Sequence, residues 1–142
     1  MQLTDELRAR ISTEFRYAAD RMRSADDPHV KLYYYSALFG EVTRILNLNW
    51  DRELALTHTV LSATHSQVAG MAHNISAGRE RAVRLSAEHI EALTNAASDL
   101  ASYFEKSGTD SELYSLLGRI SEIGYASTGN GWYLLERGII RF

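Results

Sequence analysis

Between Glu53 and Arg79 the chain carries no Asp, Glu, Lys or Arg, and within that stretch Leu54, Leu61, Val68 and Ile75 recur at intervals of seven. A seven-residue apolar repeat keeps one side chain every two turns on a single face, so the pattern predicts a helix over 50–77. Leu56, Val60, Ala63 and Gly70 form a second, weaker stripe on another side. A helix apolar on more than one side is expected to be covered by neighbours on more than one side, which makes this stretch the expected central helix.

The same reading predicts four more helices. Thr4 followed by Asp5 and Glu6 opens one over 4–25, with Leu7, Ile11, Phe15, Ala18 and Met22 facing inward and Arg8, Arg10, Arg16, Arg21 and Arg23 on a solvated face. Asp27-Pro28 opens a second over 28–47. Its core face is expected to hold Val30, Tyr34, Leu38, Val42 and Ile45, with Tyr33, Tyr35 and Phe39 on the shoulders and tight helix packing expected at Gly40. Asn49 is the expected cap of the uncharged helix. Leu85 and Ile90 flank Ser86 at the spacing of a hydrophobic staple, ahead of a helix over 87–106 with Ile90, Leu93, Ala97, Leu100 and Phe104 inward. Thr109-Asp110-Ser111-Glu112 is a capping box for a helix over 110–126 with Leu113, Leu116, Leu117, Ile120 and Ile123 inward, after which Gly124, Gly129 and Gly131 are expected to loosen the chain. The fold class is therefore all-α, a single-domain bundle of about five helices over 1–142, closed by a short apolar segment over 131–142 whose conformation, helix or extended arm, the pattern leaves open.

Composition narrows the function. At 142 residues the chain fits one core, and a net charge of -3 supplies no basic field, so nucleic acid is not an expected partner. The absence of cysteine removes disulfides, thiolate metal sites and cysteine nucleophiles. The opening residues alternate acids and arginines where a signal peptide needs an apolar run, which predicts a cytoplasmic protein. The uncharged stretch is long enough to cross a bilayer, but His58, His65, His73, Gln67, Asn74 and six Ser or Thr predict burial in protein, not membrane.

Those histidines are the chief candidate chemistry. His58 and His65 stand two turns apart, about 10 Å along the axis, whereas one zinc is held by histidines one turn apart. His73 is turned roughly 80° from His65. No Glu-x-x-His pair occurs, so neither a metal nor a cofactor is expected. His58, His65 and Gln67 could instead line a ligand pocket beside the helix.

Arg84-Leu-Ser-Ala-Glu-His89 fits the Arg-x4-His pattern of the HEPN helical-bundle ribonucleases, and the stretch from Lys31 to Leu46 resembles their aromatic second helix. The resemblance implies metal-independent phosphodiester chemistry, with His89 as acid or base and Arg84 stabilising phosphate charge. Leu85 departs from it, since that family commonly has a polar residue there. No nucleophile motif, glycine-rich phosphate loop or acidic metal loop is present, so catalysis is not expected. The leading expectation is a protein that acts by binding, as a homo-oligomer (a dimer) or on a protein partner. Trp132, Tyr133, Leu135, Ile139, Ile140 and Phe142 would be its interface, because so apolar a segment is unlike a disordered tail.

Overall fold

The computed structural model describes residues 3–76, 87–106, 108–127 and 136–138. Five helices form: α1 (Asp5–Ser24), α2 (Pro28–Leu48), α3 (Arg52–Ser76), α4 (Ala87–Lys106) and α5 (Asp110–Ser127), with no strand among the described residues. Their starts are set by side chains that satisfy the free N–H groups of a first turn. Thr4 accepts from Leu7 N at 3.1 Å and Asp27 from His29 N at 2.7 Å, with Pro28 in the first turn behind it. The Thr109–Glu112 box closes in both directions: Thr109 N donates to Glu112 Oε2 at 2.7 Å and Glu112 N to Thr109 Oγ1 at 3.3 Å. The cap of α3 is Asp51 and not Asn49. Leu54 N donates to Asp51 Oδ1 at 3.0 Å, while Asn49 ends α2 by donating its N–H to Ile45 O at 2.8 Å.

The helices close a ring in which α1 packs on α2 and α4, α3 on α2 and α5, and α4 on α5, with α2 meeting α4 across the middle. The core runs through Ile11, Phe15 and Met22, Tyr35, Leu38 and Val42, Leu54, Leu61 and Val68, Leu93, Leu100 and Phe104, and Leu113 and Ile120. Phe15 and Phe104 meet edge-on at 5.6 Å where α1 packs on α4. The α3 helix is accordingly a member of the ring and not its centre. Its second buried line is Thr57 and Thr64, whereas Leu56 and Ala63 are exposed. Threonine is tolerated there because its hydroxyl finds a backbone acceptor, Glu53 O at 2.8 Å for Thr57 and Ile120 O at 3.3 Å for Thr64.

Two further expectations change. The buried face of α2 is Leu32, Tyr35, Leu38 and Val42, with Val30 exposed and Tyr34 half-buried. Three consecutive tyrosines span more than half a helix turn, so periodicity does not choose among them; the buried Leu61 carbonyl does, accepting from Tyr35 Oη at 3.1 Å. The two glycines exchange roles. A Cβ on Gly40 would meet open space, whereas Gly124 is buried within α5 and a Cβ there would strike the Gln67 side chain and approach Thr64 Cα to 3.3 Å. Gly124 therefore allows α5 to close on α3. No helix among the described residues is long and apolar enough to cross a membrane.

Candidate functional site

Four sides of α3 carry different chemistry. Toward α2, the His65 ring lies parallel to Tyr35, with centroids 6.0 Å apart. Phe39 stands between the two histidines, edge-on to His65 at 5.3 Å and to His58 at 6.2 Å. Burial holds the His65 imidazole below the ordinary histidine range, against a hydrogen bond with the Leu32 backbone that pulls the other way, so the ring is neutral at pH 7. Burial likewise pushes the Tyr35 phenol far up, which leaves it a donor and not an acid. Both His58 and His65 thus pack against the Phe39 ring. No group of three metal-ligating side chains occurs among the described residues.

Toward α5, Gln67 stands against Gly124. The structure therefore places His58 and His65 on one flank of α3 and Gln67 on another.

At the amino end of α3, Arg8 Nη2 reaches Glu53 Oε2 at 2.8 Å, tying α1 to α3. The Arg8 side chain is only 11% exposed, so this arginine is no part of a solvated face. Tyr103 lies beside the pair: burial first, then the Glu53 charge, push its phenol up to about 12, with Arg8 opposing. The sequence signal for this cluster is modest, one arginine next to the inward stripe at Leu7 and Ile11 and one glutamate next to Leu54. Between α4 and α5 a groove of about 540 Å3 carries Lys106 and Arg119 with Asp99 and Glu112; Arg119 pairs with Asp99 at 3.7 Å.

The fourth side faces outward. From Leu56 to Ser66 its exposed residues are Leu56, Thr59, Ala63 and Ser66, none of them charged. At its amino end the α2–α3 turn exposes Leu48 by 83% and Trp50 by 66%. A bare leucine and tryptophan two positions apart lead, past exposed Arg52, into this uncharged stretch of helix face.

His89 lies half-buried in the first turn of α4, and Arg84 is outside the described residues, so the Arg-x4-His pair has no described geometry. Trp132, Tyr133, Leu135, Ile139, Ile140 and Phe142 are also outside them. Compared with models of known protein families, with curated proteins and with solved structures, the chain matches none.

Proposed function

We propose that this helical bundle acts by binding and not by catalysis, and that it does so as a homo-oligomer whose subunits meet through the outer face of α3 and the Leu48–Trp50 turn. The observation that carries the reading is the run of uncharged exposed positions from Leu56 to Ser66, preceded in the chain by bare Leu48 and Trp50 and by a single exposed cation, Arg52. A twofold interface brings one patch against its own copy, so a patch of one charge repels itself and an uncharged patch does not. Leucine and tryptophan at its edge supply the apolar area that association requires, and tryptophan is prominent among the residues that dominate interface energies. Sedimentation equilibrium of the full chain and of an Ala63→Arg variant tests the proposal. Arginine at an exposed helix position preserves the fold, so the expected result is a dimer for the first and a helical monomer for the second. A monomeric parent chain, or a variant dimer as tight as the parent, contradicts it.

A further inference from the structure

Between α1 and α2 lies a chamber of about 370 Å3. Three tyrosines line it, Tyr17, Tyr33 and Tyr34, above the buried Phe15, and its charged lining residues are two carboxylates, Glu14 and Glu41. Tyr33 and Tyr34 meet edge-on at 5.2 Å, a geometry that turns two rings in different directions around one space. Tyr33 is 69% exposed and Tyr17 54%, so these rings are not there to fill the core. Glu14 and Glu41 enter none of the ion pairs among the described residues.

The rings already hold a cation on one side. The Arg21 guanidinium carbon stands 5.5 Å from the Tyr17 centroid and 6.0 Å from that of Tyr34, and Arg21 Nε donates to Tyr17 Oη at 3.2 Å. An aromatic face attracts positive charge through its quadrupole, and weakly hydrated cations gain most because they lose least on leaving water. Carboxylates add charge attraction that the rings alone lack. The chamber is also within the size range of small-ligand sites.

We infer that the α1–α2 chamber binds a small organic cation, an alkylammonium or guanidinium compound, with Tyr17, Tyr33 and Tyr34 as its aromatic walls and Glu14 and Glu41 as its counter-charges. None of these residues belongs to the α3 face. Calorimetric titration of the full chain with choline, and with the uncharged carbon isostere of choline, tests it. Choline is expected to bind about tenfold or more tightly than the isostere, because only the charge differs. Tyr33→Leu, which keeps apolar bulk at an exposed position, and Glu41→Gln, which keeps shape, are each expected to weaken choline severalfold while the far-ultraviolet helical signal is unchanged. Absence of choline binding at millimolar concentration, equal binding of the isostere, or choline affinity unaltered in both variants overturns the inference.

Discussion

Along α1 the exposed positions include Asp5, Glu6, Arg10, Glu14, Arg16, Asp20, Arg21 and Arg23; along α3 from Leu56 to Ser66 they are Leu56, Thr59, Ala63 and Ser66. Both helices pack on α2 and both have an outer side, yet one is coated with mixed charge along its length while the other, past exposed Arg52 at its start, has none from Leu56 to Ser66. Charge on an outer face keeps a helix solvated and apart from its neighbours. A helix can lack charge because every side is buried or because its outer side is reserved for contact. The exposure of Leu56 and Ala63 removes the first explanation for α3, and the proposed contact role rests on the second.

The sharpest way to break this contrast is to move a charge around α3. Leu61→Asp puts an unpaired carboxylate in the core, a cost of roughly 3–5 kcal/mol against a total stability of about 5–15 kcal/mol, and is expected to unfold or nearly unfold the protein. Ala63→Asp, two positions on and exposed, is expected to change monomer stability by no more than about 0.5 kcal/mol in urea unfolding. Similar losses at both positions would mean that the outer face is not outside.

A second comparison lies within α1. Arg8→Met leaves Glu53 without its cation and is expected to cost about 1.5–3 kcal/mol. Arg16→Ala breaks an exposed pair with Glu105, seen at 3.1 Å, and is expected to cost at most about 1 kcal/mol. Equal effects would show that Arg8 is as solvated as the other arginines.

The smallest expected effect concerns the flank of α3 toward α2. Because burial lowers the His65 pKa from the ordinary value of 6.5, the unfolded chain takes up this proton more readily than the folded one. Stability is therefore expected to fall as pH drops below about 6.5 and to level off below the depressed folded value, with a flat contribution above, where both states are neutral. His65→Phe retains a ring against Tyr35 and should remove that slope from a series of urea midpoints. An unchanged slope would place the titration elsewhere.

The fold was legible wherever local chemistry and periodicity agreed. The Thr4, Asp27–Pro28 and Thr109–Glu112 signals each begin a helix because the free N–H groups of a first turn must be satisfied locally. The inward faces of α4 and α5 followed from spacing alone. Legibility failed where the deciding partner is distant in sequence. The choice among Tyr33, Tyr34 and Tyr35 depends on the Leu61 carbonyl, the burial of Thr64 on Ile120 O, and the role of Gly124 on the approach of α3. The uncharged stretch itself was conspicuous, but absence of charge reads the same whether a face is buried or bare. The histidines drew attention for their chemistry, and Phe39 between them was not deducible from spacing along one helix.

The proposed difference between the two outer faces, that of α3 a contact surface and that of α1 not, can be read by thiol reactivity, since the chain contains no cysteine. Ser66→Cys and Thr13→Cys place one thiol on each exposed face. Their labelling rates are measured over a range of protein concentration spanning the association equilibrium. Labelling at position 66 is expected to slow as concentration rises while labelling at position 13 stays constant. Rates independent of concentration at both positions, or slowing confined to position 13, would contradict it.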